Sequence, residues 1–130
     1  MKLLLDTCVV LWAGVAPEQL SRAARAAITD PGAEIHVATI TAAEIACAVA
    51  RGRVALGGHW KPWLRRALAI NGWTTVPATP EIVEEAYSLP DSFHADLADR
   101  IIVATARLQG MRLVTGDEAI LGYPHVDIIW

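Results

Sequence analysis

Alternating apolar strands and helices predict an α/β protein: a three-layer α/β/α sandwich around a mainly parallel sheet of about five strands. Three observations carry that expectation. Apolar runs such as Leu3-Leu4-Leu5 and Leu113-Val114 are continuous rather than alternating, as in strands covered on both faces. Segments of helical spacing separate them, and glycine, proline or a capping residue marks nearly every junction. The 130 residues, 54% hydrophobic and 19% charged, suit a single domain spanning 1–130 with a well-buried core.

Taken in order, Lys2–Leu5 reads as the first strand, and Asp6-Thr7 caps a helix through Val9–Trp12. Ser21 opens a second, alanine-rich helix that Asp30-Pro31-Gly32 ends. Ile35–Ile40 is the second strand. Thr41-Ala42-Ala43-Glu44 has the form of a capping box, opening a helix through Val49 that Gly52 stops. Leu56–Ile70 is helical in spacing and ends at Asn71-Gly72, before a third strand over Trp73–Val76. Thr79-Pro80 opens a helix over Glu81–Tyr87, with proline at the first helical position. Asp96–Leu108 is the most apolar helix, ended by Gly110. Arg112–Thr115 and Val126–Ile129 complete the strands.

The composition narrows the setting. No apolar run approaches the ~20 residues that cross a bilayer, and the first residues lack the pattern of a signal peptide. Cys8 and Cys47 are far apart, as expected of reduced thiols in a cytoplasmic protein with no membrane partner. The net charge of −3 hides an uneven distribution. Residues 45–80 contain no acid and five basic residues, Arg51, Arg53, Lys61, Arg65 and Arg66. That block is either a phosphate-binding surface or a solvated helix face with a polar loop.

The chemistry lies in the carboxylates. Asp6 closes the first strand, Glu44 follows the second, Asp99 opens the most apolar helix and Asp117 follows the fourth strand. Each has a plain structural explanation as a helix cap, a capping box or a complement to the helix dipole. In an open α/β sheet, however, ligands bind outside the carboxyl ends of the strands, and these acids converge there. Asp99 shares a helix face with Ile102, Val103 and Ala106, so it points to the buried side, where an acid needs a partner or a cation. Asp96, three residues earlier, suits the cap. Two like charges ~4 Å apart repel by about 4 kcal/mol at an effective dielectric near 20. Such a cluster takes up protons or recruits a hard cation, Mg²⁺ or Mn²⁺, suited to phosphodiester hydrolysis.

Other chemistries lack their residues. There is no phosphate-binding glycine loop, no nucleophile elbow and no zinc-ligand spacing among the two cysteines and four histidines. An aspartyl-phosphate receiver-like domain usually carries a second acid two residues after the first, where Cys8 stands, or a nearby lysine; the only lysines are Lys2 and Lys61. That phosphotransfer module and a catalytically inactive nucleic-acid-binding module are the two rivals.

With these residues in place, the chain resembles the PIN-domain family, and within it the VapC-type toxins of bacterial toxin–antitoxin pairs. The resemblance rests on LLLDT at residues 3–7 followed by VVLW, TAAEIA at 41–46, LPDSFHADLADRIIVATA at 89–106, LVTGDEAI at 113–120 and a final VDIIW. It implies an α/β/α fold and a Mg²⁺-dependent endoribonuclease. Carried over, the catalytic acids are Asp6, Glu44, Asp99 and Asp117. Asp6 and Asp99 are the firmest metal ligands, and Glu44 and Asp117 bind directly or through water. Thr7, Asp96 and Thr115 support them, and the basic block holds RNA. The family also implies a homodimer and a small antitoxin whose C-terminal segment enters the groove. Two departures stand out: Cys8 where the subgroup often has His, and Leu97-Ala98 where it often has Pro-Phe. His94 matches the subgroup's His before the aspartates.

Overall fold

The computed structural model covers residues 1–130. Its strands are β1 (Lys2–Leu5), β2 (Glu34–Ala38), β3 (Thr74–Val76), β4 (Arg112–Val114) and β5 (Ile128–Ile129). They form one sheet in the order β3-β2-β1-β4-β5, with every pairing parallel. Leu3, Leu4 and Leu5 are wholly buried because β1 lies at the centre of the sheet with both faces covered. The expected three-layer architecture is observed.

Side-chain alternation along the strands divides the core. Leu3, Leu5, Ile35, Val37 and Val114 face one layer, made by α1 (Thr7–Val15), α2 (Arg22–Thr29), α3 (Ile40–Ala50) and α4 (Trp60–Asn71). Leu4, Ala38 and Leu113 face the other, where α6 (Leu97–Gln109) and α7 (Glu118–Leu121) contribute Ile102, Val103, Ala106 and Ile120. The remaining helix, α5 (Pro80–Ala86), packs on α6 through Ile82, Ala86, Ile101 and Ala104. Gly72 and Gly110 close α4 and α6 in the left-handed conformation (φ 66° and 65°), which glycine adopts without steric cost.

From β1 the chain winds outward through β2 and β3, then returns to the other side of β1 for β4 and β5. The helices after β1 and β4 therefore cover opposite faces of the sheet. A crevice opens between them at the carboxyl ends of the strands, the place where such sheets bind ligands.

Several boundaries differ from the sequence expectation. β2 stops at Ala38, and Ile40 already belongs to α3. The helix expected from Leu56 starts only at Trp60, where His59 Nδ1 accepts the Lys61 amide, because Gly57 takes φ 74° and breaks the preceding segment. β5 is reduced to Ile128–Ile129, and α7 and a 3-10 turn over Pro17–Gln19 are additions. The capping box at Thr41 does not form. Thr39 occupies the cap in a helical conformation without a side-chain bond, and Thr41 lies inside the helix, wholly buried.

Candidate active site

Asp6 is the N-cap of α1 and is only 4% exposed. Its Oδ1 accepts the Thr7 amide at 2.8 Å, and its Oδ2 accepts the Thr115 hydroxyl at 2.6 Å and the Cys8 thiol at 3.6 Å. Thr115 accepts in turn the Asp117 amide at 3.0 Å. One buried threonine thus ties the acid after β1 to the acid after β4. Asp117 caps α7, its Oδ1 accepting the Ala119 amide at 3.0 Å.

A second threonine relay holds Glu44. The Thr7 hydroxyl donates to the Glu44 carboxylate, and the Thr41 hydroxyl lies 3.0 Å from that of Thr7. With the Thr7 proton committed to Glu44, Thr41 is the donor to Thr7. Thr41, expected to cap its own helix, instead supports the residue that aims Glu44.

Asp96 caps α6, its Oδ1 accepting the Asp99 amide at 2.9 Å. It also has a carboxylate oxygen within 4.8 Å of one from Glu44 and one from Asp99, so the cap residue joins the cluster. Asp6 and Asp117 face the same groove outside that tightest group of three. His94 Nε2 sits 3.0 Å from Asp99 Oδ2 without the angle of a hydrogen bond. No lysine or arginine pairs with any of these acids.

The electrostatic consequence follows. Burial first, and then the charges of Asp6, Asp96, Asp117 and Glu44, push Asp99 from 3.8 to about 8. Burial also raises Glu44, against the lowering effect of the Thr7 bond, and raises Asp6 against the bonds from Thr115 and Thr7. Burial followed by the charge of Asp6 lifts the Cys8 thiol to about 12, so it stays protonated beside the acids. A cluster that holds protons this tightly has the donor set of a hard divalent cation: carboxylate oxygens, converging, without a cationic side chain of their own.

The acids line a groove of about 620 Å³. Leu11 and Trp12 of α1, Ile40 of α3 and Leu97-Ala98 of α6 form its apolar walls, and Arg51 and Arg53 also line it. The basic block is therefore divided. Arg51 and Arg53 share the groove with the acids, whereas Lys61, Arg65 and Arg66 are exposed on α4, with Arg66 beside a separate small hollow. The α4 tryptophans pack. Trp63 seats against Gly14, where an added Cβ would stand 2.5 Å from Cζ2, and Trp60 lies against the core beside His59. Trp12 is the groove tryptophan, and the sequence carried a signal for it: it follows Cys8 by four residues and so shares its helix face.

The sequence matches the PIN domain family over residues 3–125. The chain belongs to the PIN-domain family. Within that family it is 38% identical to Ribonuclease VapC22 of Mycobacterium tuberculosis over 122 residues, 94% of this chain and 92% of that protein. The fold is also similar to VapBC2 from Rickettsia felis, solved bound to a DNA fragment from its promoter (TM-score 0.69, 14% identity, 98% and 97% of the two chains). A toxin–antitoxin complex from Klebsiella pneumoniae gives a TM-score of 0.68 at 22% identity, covering 98% and 95%. At those identities the two structures speak for the PIN fold alone. No helix is long and apolar enough to cross a membrane.

Proposed function

We propose that this PIN-domain protein is the toxin of a toxin–antitoxin pair, an endoribonuclease that hydrolyses RNA phosphodiester bonds with a divalent cation. The observation that carries this reading is the convergence of Asp6, Glu44, Asp99 and Asp117 on one groove, unpaired by lysine or arginine, at the switch point of the sheet. Asp6 and Asp99 are the main ligands of Mg²⁺, with Mn²⁺ an alternative, and Glu44 and Asp117 bind directly or through water. When bound, the cation supplies Lewis-acid and charge-neutralising chemistry to the phosphate.

The chain's own residues do the rest. Thr7 and Thr115 lock the orientation of Glu44 and Asp6, so neither of these two carboxylates has to reorganise during reaction. Glu44, whose proton affinity is raised, is placed to take a proton from the attacking water. Asp96 holds the first turn of α6 and with it Asp99. Arg51 and Arg53, which line the same groove, engage the RNA backbone. A single PIN-like domain carries this activity in the cytoplasm as a homodimer. A small antitoxin restrains it by laying a segment along the apolar walls beside the acids. The 38% identity to a VapC ribonuclease supports this reading.

Expression of the wild type without antitoxin is expected to arrest growth, and the purified protein to cleave single-stranded RNA with Mg²⁺ but not with chelator. Asp6→Ala and Asp99→Asn remove both effects. Toxicity that persists in both variants overturns the nuclease reading in favour of an inactive binding module. Covalent labelling of Asp6 by acetyl phosphate, without RNA cleavage, overturns it in favour of phosphotransfer.

A further inference from the structure

Two tryptophans converge beside the acids, and neither belongs to the basic block. Trp12 lines the groove together with Asp6, Thr7, Cys8 and Leu11. It follows Asp6 by six residues, which places it about 9 Å further along α1. That is the reach of a nucleotide adjacent to a phosphate held at the acids. Trp130 approaches from beyond β5, and its ring lies 5.8 Å from that of Trp12, inclined by 42°.

The seat of Trp130 is specific. Its indole covers Gly116, between Thr115 and Asp117, so closely that an added Cβ would stand 2.5 Å from Cζ2 and 2.6 Å from Cε2. Gly116 does not have a positive φ, so its missing side chain serves the close approach of the ring and not a turn. The two indoles are thus anchored to the two segments that carry Asp6 and Asp117. Each retains open surface: Trp130 is 36% exposed, and Trp12 is only partly buried. At 5.8 Å and 42° the two rings are in tilted aromatic contact, so Trp130 braces Trp12, and a base meets their exposed surfaces and not a gap between them.

We propose that Trp12 and Trp130 form a nucleobase subsite, stacking the base next to the scissile phosphate. This rests on the RNA-cleavage reading and specifies how the substrate is held. Charge complementarity favours a nucleic acid as occupant, because the same groove offers Arg51 and Arg53 for phosphates. Aromatic faces beside a basic track are how single strands are bound with little regard to sequence. The pair therefore positions the strand and contributes little to base identity.

The test uses the full chain with Mg²⁺ and a short single-stranded RNA having one mapped cut, intact or abasic at each flanking nucleotide. Removing one flanking base is expected to lower kcat/KM about tenfold for the wild type, the scale of a single base–aromatic stack. The same change costs Trp12→Ala less than about twofold, because the stack is already gone. Trp12→Phe restores most of the base dependence, whereas Trp12→Leu, which keeps apolar bulk, does not; this pair carries the test if Trp12→Ala fails to fold. Mn²⁺ titration by calorimetry stays near wild type in all three. An abasic penalty equal in wild type and Trp12→Leu overturns the subsite. So does a loss confined to antitoxin binding, which would make the tryptophan pair a protein-docking surface. Absence of wild-type cleavage overturns the nuclease reading and the subsite together.

Discussion

The two ends of the sheet use the same residue types in opposite ways. At the amino end, a hollow of about 510 Å³ is lined by Glu85, Arg107, Arg112, His125 and Asp127, where acids and bases are interleaved. Arg107 donates to the His125 carbonyl at 2.5 Å and brings Nε to 4.0 Å from Glu85, while His125 Nε2 lies 2.6 Å from Asp91. At the carboxyl end, five acids converge; Arg51 and Arg53 share their groove without pairing with any of them, and only His94 comes within ion-pair distance of one. Balanced charge ties α5, α6 and the approach to β5 together. Accumulated charge of one sign strains the fold until something else neutralises it. The first arrangement serves stability, and the second is the one proposed above for chemistry.

Breaking one member of each end sharpens this contrast most. Asp99→Asn should lower RNA cleavage by about 10³-fold or more, because it removes a proposed metal ligand. The same change should raise the melting temperature of the metal-free protein, because a neutral amide does not have to take up a proton on folding, a gain of about 1 kcal/mol. Arg107→Met should do the reverse, costing about 1–2 kcal/mol of stability through its lost hydrogen bond while cleavage persists. Thermal melts and single-turnover kinetics on both variants check the pairing. Stability falling in both would place the two ends on the same footing.

A pH series probes the charged end directly. Asp99 titrates near 8 in the folded chain, against 3.8 as its ordinary value, so the folded state binds the proton more tightly than the unfolded state. Its contribution is fully present below about 4 and is lost as pH rises through about 8. The metal-free protein should therefore lose stability across that window. Saturating Mg²⁺ or Mn²⁺ should flatten the slope, since the cation replaces the proton. Denaturant midpoints with and without metal measure it.

Smaller effects follow from the support around the acids. Thr7→Val removes the hydroxyl that links Thr41 to Glu44, and should cost cleavage about tenfold with little loss of helix content. Arg51→Ala should weaken RNA binding modestly and reduce by about one the slope of log affinity against log salt. The same substitution at Arg65, on the outer face of α4, should leave that slope near the wild type, and fluorescence titration across a salt series distinguishes the two.

Much of this was written locally. Apolar runs buried on both faces, Asp6, Ser21, Thr79 and Asp96 as caps, and Gly110 as a stop are short-range features whose physics does not depend on distant chain. They were enough to predict a parallel sheet and to place Asp6, Glu44, Asp99 and Asp117 at its carboxyl edge. Proximity was not local. Thr41-x-x-Glu44 satisfies a capping box on paper, yet packing draws Thr41 toward Thr7, 34 residues away, and leaves the cap to Thr39. The five basic residues are contiguous in charge but divided by the turn at Gly57 and the packing of Trp63 on Gly14.

The sequence by itself determined the elements, the core and the identity of the acids, because periodicity and capping are set by neighbours within a few residues. Tertiary structure alone decided that Asp96 both caps α6 and joins Glu44 and Asp99. It also decided that Arg51 and Arg53 share their groove, and that Trp130 settles on Gly116 beside Trp12. Those outcomes depend on how the winding of the sheet reverses at β1, a property of the whole chain that no local pattern encodes.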